Sequence, residues 1–215
     1  VNLVNELQVS AENDEVLTVL RKTMRLASKL SRDDISAWLL AEQNGYPRGD
    51  AVPEYRRVRG RLAINVMGYI PAGFGMLMTG AQDLPGSNFN PEVPVIDSIS
   101  TVQTWIADMT DGSELSLPID RNSDVDRFHR RLISPDFRHQ VSFLLHLNPA
   151  QIRAIPERIK DKVLEWALAL ERAGVTGEGM TFSAEEKKLA HSVTFNISNS
   201  LIEQLSNSGI NHKGN

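Results

Sequence analysis

Residues 46–61, YPRGDAVPEYRRVRGR, concentrate the groups best suited to hold an anion. Five arginines and two tyrosines fall within sixteen residues, opposed only by Asp50 and Glu54. A guanidinium fork matches a phosphate or carboxylate, and a tyrosine ring stacks on a base. Tyr55, Arg56, Arg57, Arg59 and Arg61 are therefore the candidate anion- or ligand-binding residues, and this local basic patch is the route by which the chain would meet a nucleic acid. The competing reading is structural: arginines ahead of an edge strand keep it soluble and pair with acids of the preceding helices. The tripeptide Arg48-Gly49-Asp50 is too short to carry meaning.

A second polar stretch places Asp120, Asp124, Asp126 and Asp136 near Arg127, His129, Arg130 and Arg131. A metal-dependent nuclease gathers two or three acids on a divalent ion beside a basic group. Asp124, Asp126 and Asp136, with Arg130 or His129, have the right types. Their spacing follows no ligand pattern, and a solvated, self-paired segment is the plainer reading. The histidines, His129, His139, His146, His191 and His212, form no H-E-x-x-H pair. His139 and His146 are seven apart on a candidate strand, which sends them to opposite faces. There is no phosphate-binding G-x-x-x-x-G-K-[ST] and no G-x-S-x-G elbow, and Gly73-Phe74-Gly75 lacks the third glycine and helix of a dinucleotide loop. Ser31, Ser98 and Ser183 read as helix caps. The sequence thus designates no catalytic residue, no metal ligand and no cofactor, and leans away from an enzyme.

The totals agree. The net charge is −4 over 215 residues, so no global basic field draws the chain to nucleic acid or anionic lipid. A 41% hydrophobic content supports one sizeable core. The absence of cysteine removes disulfides, thiolate catalysis and cysteine-bound zinc, and fits a reducing cytoplasm. Residues 1–13 lack the pattern of a signal peptide, and no apolar run approaches the ~18 residues that span a bilayer.

Several elements must position these groups. Val16, Leu17, Leu20, Met24 and Ala27 predict a helix over 13–30, capped by Asn13 and carrying Arg21, Lys22, Arg25 and Lys29 on its other side. Ser31 is expected to cap the next helix, which bears Ile35, Trp38, Leu39 and Glu42 on one face and ends at Asn44-Gly45 before Pro47. Together they form a helical hairpin. Glycine and proline then break any helix over 46–90. Within it, 62–70 reads as a strand, 74–78 as its partner and 80–94 as a loop. Val102, Trp105, Ile106 and Met109 predict a third helix, capped at Ser98 or Ser100 and ended by Asp111-Gly112. Residues 114–119 are a short strand, and 120–133 are open between loop and helix. Residues 139–147 form an apolar strand, followed by Asn148-Pro149 as cap and first helical residue.

The strongest stripe follows: Ile152, Ile155, Ile159, Val163, Trp166 and Leu170. Pro156 is expected to split it into a turn and a helix over 156–173, with Gly174 just past the end. A flexible glycine-rich connector precedes the Ser183–Glu186 capping box. Last comes a tail strand whose Val193, Phe195 and Ile197 are candidates to add to a sheet edge, in this chain or in another subunit. The expected class is α+β: a helical hairpin and a long C-terminal helix packed with a small, mainly antiparallel sheet. Residues 1–173 form the α+β domain, and 174–215 the connector, short helix, tail strand and polar end.

Three stretches are also familiar in combination. They are Leu20-Arg21-Lys22 through Trp38 to Asn44-Gly45-Tyr46-Pro47, then Pro53-Glu54-Tyr55-Arg56-Arg57-Val58-Arg59-Gly60, and finally Ile159 through Trp166-Ala167-Leu168-Ala169-Leu170-Glu171 into Gly177-Glu178-Gly179-Met180-Thr181-Phe182-Ser183. Their order and content resemble the AbiTii domain family, associated with bacterial abortive infection, over most of 1–190. The resemblance implies a bacterial cytoplasmic protein linked to anti-phage defence, and it carries over no catalytic residue. The resulting expectation is a non-catalytic binding or assembly module, a sensor or adaptor, that forms a homo-oligomer or meets a protein partner away from membranes. The alternative is a metal-dependent, nuclease-like toxin acting on host or phage nucleic acid.

Overall fold

The computed structural model describes residues 2–68, 70–72, 75–77, 80–84, 88–109 and 115–195, with backbone alone at 70–72, 75–77 and 81. The elements run α1 (Leu3–Asn13), α2 (Val16–Leu30), α3 (Asp33–Asn44), β1 (Arg57–Val66), β2 (Ile70–Ala72), β3 (Gly75–Leu77), β4 (Gly80–Asp83), β5 (Glu92–Pro94), α4 (Ile99–Asp108), β6 (Ser116–Pro118), α5 (Asp124–Arg130), β7 (Val141–Leu147), α6 (Pro149–Arg172) and α7 (Ala184–Ser192). The class is α+β with an antiparallel sheet, as predicted. The described residues fall into two compact units. One draws on Val1–Arg57, Pro94–Ala107 and Arg153–Asn215; the other on Val58–Val93 and Asp108–Ile152. Asp111-Gly112, Ile197, His212 and the polar tail lie outside the described residues.

In the helical unit, α1 was not predicted. It buries Leu3, Val4, Leu7, Ser10 and Ala11 on one face, and the Asn2 side chain accepts the Asn5 amide at 3.0 Å. Asn13 is therefore the last residue of α1 rather than the cap of α2. Ser31 is also reassigned. It sits in the left-handed region at φ 58°, with its amide donating to the Ser28 carbonyl and that of Arg32 donating to Ala27. This closes α2 as a left-handed C-cap, because the short link to α3 needs a chain reversal that an extended N-cap cannot give. Arg32 is buried and donates to the Ala190 and Val193 carbonyls, which satisfies the exposed end of α7.

Helix α6 runs through Pro156 without a break. Ile152, Ile155, Ile159, Val163, Trp166 and Leu170 are all buried, and only a continuous helix keeps them on one stripe. Burying each such side chain stabilises by roughly 1.5–3 kcal/mol, enough to outweigh the ~3 kcal/mol cost of an interior proline. The helix ends as predicted. Gly174 takes φ 82°, its amide donates to Glu171, and the amide of buried Val175 donates to Leu170 at 3.0 Å.

The glycine-rich connector is tied down rather than loose. The Leu3 and Val4 amides donate to the Gly177 and Thr176 carbonyls. The Glu186 carboxylate, besides completing the capping box with Ser183, accepts the Thr176 and Gly177 amides at 3.0 and 2.9 Å. A Cβ on Gly177 would lie 2.6 Å from the Phe182 ring.

In the sheet unit, the strand order is β4-β1-β7-β6, with β5 also paired to β1, while β2 and β3 form a separate two-stranded ribbon. Register sets Leu62 opposite Leu145, Ile64 opposite Phe143 and Val66 opposite Val141. The core of this unit gathers Leu62, Ile64, Val66, Leu84, Ile133, Val141 and Phe143, with Val125 of α5 and Phe137 packed against it. Part of the stretch read as a loop over 80–94 supplies β4 and β5. The Gly-Ala-Gln-Asp of β4 has no apolar alternation; only its partner strand makes it a strand.

Replacing Pro156 by Ala should raise the thermal midpoint, with a gain of up to about 3 kcal/mol, because an interior amide regains its partner. Circular dichroism melting checks this, and a lowered midpoint would count against an uninterrupted α6. Glu186 supplies a pH test. Amide hydrogen bonds, that of Gly177 foremost, hold its carboxyl at about 2, below the ordinary 4.5. A depressed acid contributes stability that is present above 4.5 and lost as pH falls toward 2. Urea titrations of the parent and Glu186→Gln should therefore show a stability gap at neutral pH that narrows across that window; a constant gap would contradict the assignment.

Candidate functional site

Five of the residues that carried the resemblance, Trp38, Glu42, Tyr46, Tyr55 and Arg56, converge inside the helical unit. Helix α3 places Trp38 and Glu42 one turn apart on its buried face. Gly45 then turns the chain at φ 92°, and the Tyr46 amide donates to the Ile96 carbonyl at 2.7 Å. A Cβ on Gly45 would stand 2.8 Å from that carbonyl oxygen, so both conformation and space require glycine here. The Tyr46 and Tyr55 hydroxyls donate to Glu42 Oε1 at 2.7 and 2.6 Å, and Trp38 Nε1 donates to the Tyr55 hydroxyl at 2.9 Å. Arg56 Nε and Nη2 donate to Glu42 Oε2, while its Nη1 reaches the carbonyls of Val95 and Asp97 at 3.0 and 2.8 Å.

The Glu42 and Arg56 side chains are both 0% exposed. Burial, reinforced by the neighbouring Glu42 charge, pushes the Tyr46 and Tyr55 phenols far above the ordinary tyrosine value. Burial opposes the charge on Arg56, but the Glu42 carboxylate more than offsets it and raises the guanidinium.

Tyr55 and Arg56 are therefore turned inward, and as anion ligands they are corrected. Arg56 is fully buried and committed to Glu42. The signal was present in the sequence: Arg56 shares parity with Val58, Gly60 and Leu62, the positions that β1 buries. Arg57, Arg59 and Arg61 take the opposite parity, and all three are exposed.

On that outer face of β1, Arg61 Nε donates to Asp83 Oδ1 at 2.7 Å. His146 lies across from Arg61 in register, with Nδ1 3.7 Å from the same oxygen. The backbone of Arg59 is fixed on both sides: its amide donates to Gln151 Oε1 at 2.8 Å, and its carbonyl accepts the Asn148 amide at 3.0 Å. Its guanidinium has no partner among the described residues. Arg59, Arg61 and His146 line a cleft of about 310 Å³ with Asn90 and Asn148. Sequence reasoning found Arg59 and Arg61 but missed His146 and Asn90, which reach the cleft only through long-range pairing.

The acids nominated for a metal are dispersed. Asp126 is buried and paired with Arg130. Arg130 Nη1 donates to the Arg138 and Val141 carbonyls, and its guanidinium lies 5.6 Å from the centre of the Phe143 ring. Asp124 is exposed and pairs with Arg127, and Asp136 is exposed in the turn Pro135–Gln140. His129 Nδ1 lies 2.8 Å from the Val125 carbonyl. Among the described residues, no three side chains of His, Asp or Glu are placed to hold an ion.

The tail edge is also revised. Val193 and Phe195 lie in no strand. Phe195 is buried, with its ring centre 4.9 Å from that of Trp38 and 5.8 Å from that of Trp166. Two indoles draw the phenyl ring into the helical core in place of a sheet edge.

Removing one partner of a buried pair strands the other charge. Glu42→Ala should cost about 3–5 kcal/mol in urea unfolding, and Glu42→Leu combined with Arg56→Met should recover much of the loss. A cost below about 1 kcal/mol for the single variant would show that the pair does not hold the unit together.

No curated protein and no solved structure matched the chain significantly. The AbiTii family model matches residues 2–195, a span that takes in every residue of the buried cluster and of the cleft. On that match, the chain belongs to the AbiTii family, whose setting is bacterial abortive-infection defence.

Proposed function

We propose that this chain is a non-catalytic binding module, a sensor or adaptor, of an anti-phage abortive-infection system. It works in the cytoplasm as a homo-oligomer or with a protein partner. One observation carries the reading: inward and outward charges are divided. Two buried acids are closed on internal arginines, Glu42 with Arg56 and Asp126 with Arg130. Three of the exposed basic groups stand in a row on β1, at Arg57, Arg59 and Arg61. Such a division suits a surface that is read by something else. With Phe195 committed to the core, strand addition at β4 or β6, the ends of the main strand order, is the route to assembly that replaces the tail edge. Among the described residues no helix is long and apolar enough to cross a membrane.

The nuclease-like reading is not the one proposed, because Asp126 is bound to Arg130 rather than facing solvent with Asp124 and Asp136. Multi-angle light scattering of the concentrated chain, with affinity capture from phage-infected cells, tests the proposal. A stable oligomer or a reproducible protein partner is expected. A strict monomer that captures nothing would count decisively against it.

A further inference from the structure

The cleft on the outer face of β1 has the chemistry of a small anion site. We infer that it binds the phosphate of a small ligand of mononucleotide size, a proposal that rests on reading the chain as a binding module. Arg59 is the anchor. Its main chain is pinned by Gln151 and Asn148, so its Cα is held while its guanidinium has no partner among the described residues. A planar fork offered from a fixed backbone loses little freedom when it grips two phosphate oxygens.

Arg61 lies two residues on along the same face. Asp83 orients it at 2.7 Å and offsets its charge, which leaves Arg59 as the source of net positive charge in the cleft. Asn148 Oδ1 is taken by the Ala150 and Gln151 amides, at 3.0 and 3.3 Å, which leaves its amide nitrogen as a donor at the start of α6. Asn90 adds a second carboxamide to the lining.

Size and charge then choose among phosphate sources. A volume of about 310 Å³ sits at the lower end of the ~300–1,000 Å³ typical of small-molecule sites. A polynucleotide track instead needs several unpaired cations spread along a groove. Here Arg59, without a side-chain partner among the described residues, and Arg61, paired with Asp83, line a single hollow, on a chain of net charge −4. That arrangement fits one or two phosphates.

Calorimetry and ¹H–¹⁵N NMR on the full chain test the assignment, with inorganic phosphate, ADP and a twenty-nucleotide oligo(dT) as separate probes. ADP should saturate a single site and perturb the amides around Arg59, Arg61, Asn90 and Asn148. Arg59→Ala should weaken it at least about tenfold, as loss of a charge-assisted hydrogen bond does, and Arg59→Lys should fall between. Arg158→Ala, at an exposed position of α6, should bind like the parent. Thermal midpoints and light-scattering masses should match across all variants, which separates loss of the ligand from loss of the fold or of assembly.

Absence of saturable binding by phosphate and ADP at millimolar concentration would overturn the proposal. So would ADP binding that survives Arg59→Ala. Oligo(dT) binding far tighter than ADP, with a steep salt dependence, would overturn it in favour of a nucleic-acid track.

Discussion

Taking a carboxylate and a guanidinium out of water costs several kcal/mol per ion, so a fully buried pair persists only when its remaining hydrogen-bonding capacity is met. Glu42 and Arg56 satisfy that condition. Oε1 accepts two phenols, Oε2 accepts the arginine, and Nη1 of the arginine finds two carbonyls. The arrangement ties three stretches that are distant in sequence: α3, the turn Glu54–Arg56 and the segment before α4. Arg56 is the residue before β1, and Arg57, Arg59 and Arg61 are exposed by the alternation of the strand itself.

The shared motifs acquire a physical meaning from this. Asn44-Gly45-Tyr46-Pro47 ends α3, supplies the positive φ that a side chain would block, and delivers a phenol to Glu42. Pro53-Glu54-Tyr55-Arg56 delivers the second phenol and the guanidinium. The motif types look like ligand chemistry, but their partners are inside the chain.

Legibility followed the range of the interactions. Helices α2, α3 and α6, the Gly174 ending and the Ser183 capping box are local patterns, and each was readable from spacing. The outward arginines were readable too, since alternation is local. Helix α1 was missed although Leu3, Val4, Leu7 and Ala11 keep helical spacing, because its buried face is short and includes the polar Ser10. Strand β4 was missed because register with β1, not its own residues, defines it. Pro156 misled for the opposite reason: a strong local breaker was overridden by a buried stripe on both sides. The inward turn of Tyr55, and the arrival of His146 beside Arg61, depend on contacts across thirteen to eighty-five residues. A single sequence does not display those.

The central claim is that the buried Glu42 and Arg56 hold two neutral phenols in one hydrogen-bonded cluster. The chain has three tyrosines, and two of them are Tyr46 and Tyr55. Spectrophotometric titration of the folded protein addresses the claim directly. The account predicts that no more than one tyrosine ionises reversibly near pH 10, and that the other two do so only with alkaline unfolding. Reversible ionisation of all three near pH 10 in a protein that stays folded would contradict it.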